Sequence, residues 1–219
     1  MAHSRTIRFS DLKQLFVALV VYIALVAVLA GYYLVFVEAR GNLHEVVSQK
    51  VYRSAQPSPE VLKRWVQKYN IRTIINLRGD AGKVVEDERK LADQLGIMTI
   101  SISFSAYRLP STDSLAKLIR AIETAELPLL IHCRAGVDRA GTASTLAAMA
   151  IGKVDYDTAK WQAYVAPGPW KRKRLGYRNP ADQYIHISDM FKLYEGYCKR
   201  NNLKTNRWRQ FRQWAIDWR

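Results

Sequence analysis

The sequence predicts an α/β domain with a central, mostly parallel sheet flanked by helices, preceded by one transmembrane helix. Three observations predict it. Gln14–Val37 is a run of 24 residues without a charge, nearly all apolar. Beyond it, short β-branched runs alternate with amphipathic helical patterns, which implies a sheet covered on both faces. Composition completes the case: 49% of the 219 residues are apolar and 24% charged, with 11 Gly and 7 Pro. Such a chain is neither disordered nor collagen-like. Two cysteines exclude a disulfide scaffold, and no Cys/His cluster has zinc spacing.

As a helix, Gln14–Val37 spans about 36 Å, enough to cross a hydrocarbon core with some tilt. A cleaved secretory signal is the alternative, and Val37-Glu38-Ala39 has a small-x-small outline. A signal's apolar core runs to roughly 7–15 residues, so the length favours a retained anchor. Arg5, Arg8 and Lys13 precede the span, and Arg40, Lys50 and Arg53 follow it. The preceding set lies closer to the membrane, which sets the expectation of a cytoplasmic N-terminus. The catalytic domain would then be extracytoplasmic, on the periplasmic side of a bacterial inner membrane. The organisation expected is a basic tail over 1–13, the span over 14–37 and a linker over 38–49. A core over 50–165 follows, completed by a basic loop and helices over 166–219.

Within the core, Lys50–Ser54 reads as a strand and Gln56-Pro57-Ser58-Pro59 as a turn. Ser58 is placed to cap a helix running to Tyr69, with Pro59 at its first position. Arg72–Leu77 is a buried strand, and Arg78-Gly79-Asp80 the loop after it. Glu86–Leu95 is a charged amphipathic helix stopped by Gly96. Ile97–Ser103 alternates as a strand. Thr112–Ala125 is a helix with Leu115, Leu118, Ile119 and Ile122 on one face. Leu127–His132 is the next strand, and a helix runs from Arg139 to about Ile151. Helices are expected over Tyr156–Val165, Ala181–Arg200 and Arg207–Trp218, with a basic Pro/Gly loop at Pro167–Pro180.

The most informative stretch is LLIHCRAGVDRAGTAS, residues 129–144. A cysteine at a strand end, facing a helix N-terminus across a five-residue loop, has its thiolate stabilised by backbone N–H groups and the helix dipole. Successive N–H groups of Arg134, Ala135, Gly136, Val137, Asp138 and Arg139 form an anion nest for phosphate oxygens. Arg139 adds a guanidinium fork matched to two of them, and Gly136 permits the tight turn. This is a recipe for covalent phosphoryl transfer with Cys133 as nucleophile. Taken singly, Cys133 reads as a core cysteine and Arg139 as a surface charge; the joint spacing argues against both. Cys198, in a helical pattern, reads as structural.

Through these residues the chain resembles the cysteine-based phosphatases with a His-Cys-x5-Arg loop, specifically the compact dual-specificity-like group and its atypical bacterial membrane-anchored members. The resemblance runs from about Val51 to Ile151. VYRSAQPSPE, RTIINLRGD and GIMTISIS are similar to early strands of bacterial, plant and fungal atypical members. It implies a dual-specificity-phosphatase-like fold and a phosphocysteine intermediate that water hydrolyses. It implies no cofactor and no metal, since Arg139 and the loop amides neutralise the transition state.

Two positions depart from the family pattern. Many members carry Ser or Thr after the loop arginine, where this chain has Ala140. The usual acid is an Asp on a loop some thirty residues before the cysteine, where this chain reads Phe104-Ser105-Ala106-Tyr107-Arg108-Leu109-Pro110. The nearest carboxylate, Asp113, reads as a first-turn helix charge. Asp138 is the first candidate acid, because some phosphoinositide, lipid and triple-specificity phosphatases share its Gly-x-Asp-Arg setting; the alternative is pairing with Arg139 or a first-turn charge. Asp80 is the second. His132 is expected to bond backbone around the cysteine. Tyr107 and Arg108 read either as pocket mouth, with the arginine holding a second anion, or as ordinary exposed loop.

Lys+Arg outnumber Asp+Glu by 34 to 19, and ten of the fifteen surplus charges fall in residues 160–219. This implies an anionic neighbour. Lys171-Arg172-Lys173-Arg174 suits anionic lipid, and Trp208, Phe211, Ala215 and Trp218 form a stripe on the last helix. That stripe either lies on the lipid surface or docks on the domain. Nucleic acid is not expected. The function expected is a membrane-anchored phosphatase acting on a lipid phosphate. The alternatives are a protein tyrosine/dual-specificity phosphatase acting on phosphoprotein, or a weakly active phosphate-binding scaffold.

Overall fold

The computed structural model describes residues 9–34, 41–164 and 187–217. It divides into two compact units, Met1–Arg40 and Gly41–Arg219. In the first, α1 (Phe9–Leu34) is a 26-residue helix. Its segment Leu12–Tyr32, of mean hydropathy 2.7, is long and apolar enough to cross a membrane. None of that segment is buried against protein. The expected span is thus helical to Leu34, and residues 35–37 lie outside the described ones.

The second unit is α/β. Its sheet has the order β1-β2-β5-β3-β4, from β1 (His44–Val47), β2 (Val51–Ser54), β3 (Thr73–Asn76), β4 (Met98–Ser101) and β5 (Leu129–His132). Four strands run parallel. β1 pairs antiparallel with β2, with an irregularity between Glu45 and Val47. β1 falls in the segment expected to be linker. Its four residues HEVV carry two polar groups, too short an alternation to read as a strand, and pairing with β2 supplies the order that the pattern lacks.

Side chains alternate faces along each strand. Val51, Ile75, Leu129, Ile131 and Cys133 join one core with α4 (Thr112–Thr124) and α5 (Asp138–Ala150). Tyr52, Ile74 and Leu130 join Leu62 of α2 (Pro59–Tyr69) and Ala92 of α3 (Lys83–Gln94) in the other. Residues 140–150 of α5 are all buried, so this helix is the spine of the first core. Ser58 caps α2 by accepting from the Val61 N–H (3.3 Å), and the expected face of α4 is the buried one. α3 starts three residues earlier than expected, after Gly82 at φ 104°.

The expected helix over Tyr156–Val165 breaks into α6 (Tyr156–Ala159) and α7 (Trp161–Tyr164). The break falls at Lys160, whose carbonyl accepts from the Ala163 N–H three residues on (3.0 Å), and Arg53 Nη1 donates to the Gln162 carbonyl within α7 (2.6 Å). α8 (Asp189–Arg200) and α9 (Trp208–Asp217) close the domain. The α9 stripe docks: Phe211 and Ala215 are buried, Trp208 donates to Glu123 Oε1 (3.1 Å), and Arg212 pairs with the same carboxylate (2.9 Å). Trp214, which the stripe omitted, is buried too, its ring tilted against those of Tyr194 and Phe211. Trp218, Pro167–Pro180 and the first part of the helix expected from Ala181 lie outside the described residues. Cys198 is buried and accepts from Gln210 Nε2 (3.2 Å).

Candidate active site

In an open α/β sheet the loops at the C-terminal strand ends gather at one edge, where ligands bind. Here those loops follow β2, β3, β4 and β5, and the site residues expected from the sequence lie on the last three of them, at the end of β5 or at the start of α5. Cys133 directly follows β5 and is 3% exposed. Arg134 is exposed, Ala135 and Val137 are half-buried, and Gly136 is buried. Asp138 and Arg139 open α5, both half-buried.

The loop's shape depends on Gly136. Its φ is +69°, and a Cβ there would lie 2.5 Å from backbone atoms of Ser54 and Ala55. Both the conformation and the close approach demand glycine. A second tie runs from the Gln56 N–H to the Arg134 carbonyl (3.4 Å).

Arg139 reaches back over the sheet edge. Its Nη1 donates to the carbonyls of Leu77 (3.2 Å) and Phe104 (3.3 Å), just beyond β3 and β4. The segments that follow two neighbouring strands therefore fix one guanidinium, a planar fork of the kind that can meet phosphate oxygens in pairs. Ala140 is fully buried. The nearby Thr142 hydroxyl is committed to the Asp138 carbonyl (2.9 Å), so it does not replace the missing hydroxyl at position 140.

His132 differs from the expectation. It is fully buried, and its Nε2 lies 3.0 Å from Glu88 Oε1 rather than on backbone. Gln56 Nε2 donates to the other Glu88 oxygen, and Arg78 Nη1 donates to Gln56 Oε1 (3.0 Å). The residue before Cys133 is thus anchored by a carboxylate that is itself hydrogen-bonded. Glu88 looked like one charge among many on α3. Burial is its only distinguishing mark, and the sequence does not display that.

Arg53 is another site residue that sequence reasoning missed. It lies on β2 opposite Ile131 and is 4% exposed. Burial pushes its pKa below the usual range for arginine, and the charge of Cys133 pulls it the other way. A charged residue inside VYRSA was the available signal, since a doubly covered strand rarely holds one without cause. The neighbouring His44 is also pushed below its ordinary pKa, first by burial and then by Arg53.

The two candidate acids differ in setting. Asp138 occupies the first turn of α5, beside the loop amides. Asp80 is exposed, on the loop that Asn76 shapes by accepting from the Arg78 N–H (2.8 Å) and donating to the Gly79 carbonyl (3.2 Å). Tyr107, 56% exposed, and Arg108, also exposed, stand on the loop after β4.

Residues 27–156 match the family model described as DSP-PTPase phosphatase fused to NAD+ kinase. Among solved structures, the chain is similar to TpbA of P. aeruginosa, with 22% identity, 56% of this chain and 71% of that chain covered, and a TM-score of 0.45. It is similar to a putative phosphatase of Shewanella putrefaciens, at 21% identity over 58% and 83%, with a TM-score of 0.45. It is also similar to the core catalytic domain of the PP-IP phosphatase Siw14 of S. cerevisiae, at 17% identity over 76% and 96%, with a TM-score of 0.46. No curated protein sequence gives a significant match.

Proposed function

The chain belongs to the DSP-PTPase phosphatase family and is a cysteine-dependent phosphatase; from that premise we propose that it works from a membrane anchor, through a phosphocysteine, on a lipid phosphate. The observation that carries the chemistry is the placement of Cys133 at the start of a glycine-turned loop that ends in an arginine held by carbonyls from the segments after β3 and β4.

In the first step the Cys133 thiolate forms a bond to phosphorus as the bond to the leaving oxygen breaks. Asp138 gives that oxygen its proton. In the second step water attacks phosphorus, its proton returns to the carboxylate, and the thiolate departs from inorganic phosphate. Arg139 and the loop amides hold the three non-bridging oxygens throughout. Because Ala140 has no hydroxyl, the loop amides and the α5 dipole support the departing thiolate.

The lipid reading is supported by the exposed apolar segment Leu12–Tyr32 and by the surplus of ten positive charges after Ala159. An enzyme held in the same bilayer as its substrate meets it at high effective concentration. Full-length protein in vesicles should therefore release phosphate from a phosphomonoester lipid in its own bilayer roughly 10²-fold more efficiently than from a soluble phosphotyrosine peptide. The reverse preference would make it a protein phosphatase.

We place the domain outside the cytoplasm, because Arg5, Arg8 and Lys13 crowd the N-terminal edge of the span. A C-terminal fusion to a reporter active only outside the cytoplasm should be active, and a cytoplasm-only reporter silent. The opposite pattern overturns the orientation and leaves the chemistry untouched.

A further inference from the structure

Asn42 lies ahead of every motif, in the segment expected to be linker, yet it is 1% exposed. Its Nδ2 donates to the carbonyl of Ala135 (2.9 Å) and, at longer range, to that of Gly136 (3.5 Å), across 93 and 94 residues of sequence. A trans peptide is planar, so its carbonyl and its N–H point in opposite directions. Drawing the Ala135 carbonyl outward turns the Gly136 N–H inward. Drawing the Gly136 carbonyl outward does the same for the Val137 N–H. Those two amides belong to the nest that faces a bound phosphate.

The carboxamide is itself held. His44 Nε2 lies 2.8 Å from Asn42 Oδ1. With Nδ2 committed to the loop carbonyls, Oδ1 is the acceptor and the imidazole Nε2–H the donor. Asn42 adopts φ +48°, a conformation that asparagine tolerates better than most residues. The adjacent Gly41 carbonyl accepts from the Ala55 N–H (2.8 Å), which fixes the same segment against the β2–α2 turn.

We infer that Asn42 is a positioning residue of the phosphatase: its carboxamide, oriented by His44, aims the Gly136 and Val137 amides at the phosphate. This rests on the reading of residues 134–139 as the phosphate loop. It also gives the β1 segment a catalytic duty, because the strand that carries His44 holds the brace in place.

Full-length Asn42→Gly is the decisive variant, since glycine keeps the positive φ and removes only the carboxamide. Inorganic phosphate should inhibit it at least about tenfold more weakly than wild type, and kcat for an aryl phosphate should fall by a similar factor. Asn42→Asp should be no better, because an oxygen would then face the Ala135 carbonyl. A folded Asn42→Gly protein with unchanged phosphate inhibition and kcat, whatever its thermal midpoint, would falsify the inference. Should Asn42→Gly fail to fold, the His44 pair decides. His44→Gln can still donate to Oδ1 and should bind phosphate more tightly than His44→Leu; equal inhibition constants overturn the proposal. The phosphate-loop reading fails separately, by turnover surviving in Cys133→Ser.

Discussion

Cys133→Ser will abolish turnover of an aryl phosphate, by about 10⁴-fold or more, while the folded protein still binds inorganic phosphate. The two readouts separate because the loop divides its work. In the proposed mechanism binding belongs to the backbone amides of residues 134–139 and to the Arg139 guanidinium, none of which the substitution touches. Bond making belongs to the sulfur alone, and a serine hydroxyl in the same place stays protonated. Arg139→Lys completes the test from the other side. The guanidinium is oriented by two carbonyls, of Leu77 and Phe104, that converge from separate strands. An ammonium has no planar fork and cannot keep both of those contacts and two phosphate oxygens. Its kcat/KM should fall by about 10²–10³. Turnover surviving in Cys133→Ser, or a near-wild-type Arg139→Lys, would remove the covalent mechanism.

The parts of this site that the sequence displayed are those whose residue type dictates their setting. The spacing from His132 to Arg139 implied a strand end, a nest and a helix start, and β5 and α5 occupy those places. Ser58 and Pro59 announced α2, and the stripe on α4 announced its buried face. The hidden parts act through partners far away in sequence. Asn42 meets Ala135, Glu88 meets His132, and Arg53 meets Gln162. Each pair lies far apart in the chain and meets only in the folded sheet, and of the three residues only Arg53, a charge inside a buried strand, carried a local signal. The α9 stripe carried the right apolar residues, but its two candidate destinations share one pattern. The Glu123 carboxylate, accepting from both Trp208 and Arg212, distinguishes them.

The leaving oxygen must be protonated as its bond to phosphorus breaks, and the loop after β4, the usual place for the acid in the family pattern, offers only Ser, Ala, Tyr, Arg, Leu and Pro between Phe104 and Ser111. Asp138→Asn should therefore depend on the substrate. Alkyl phosphates leave as strongly basic alkoxides and need the proton; activated aryl phosphates leave as stabilised phenoxides and barely need it. The loss should reach about 10²–10⁴-fold in kcat on the alkyl substrate and stay within about tenfold on the aryl one. Position supports Asp138 over Asp80. The first is the opening residue of α5, one step from Arg139 and beside the amides that hold the phosphate, whereas the second is exposed on a separate loop. Having given up its proton in the first step, Asp138 is a carboxylate when water enters in the second, and so can accept the proton that the water loses. An equal loss on both substrates would instead make Asp138 a shaping residue of the loop. A selective loss in Asp80→Asn, with Asp138→Asn indifferent to the leaving group, would move the proton donor to the loop after β3.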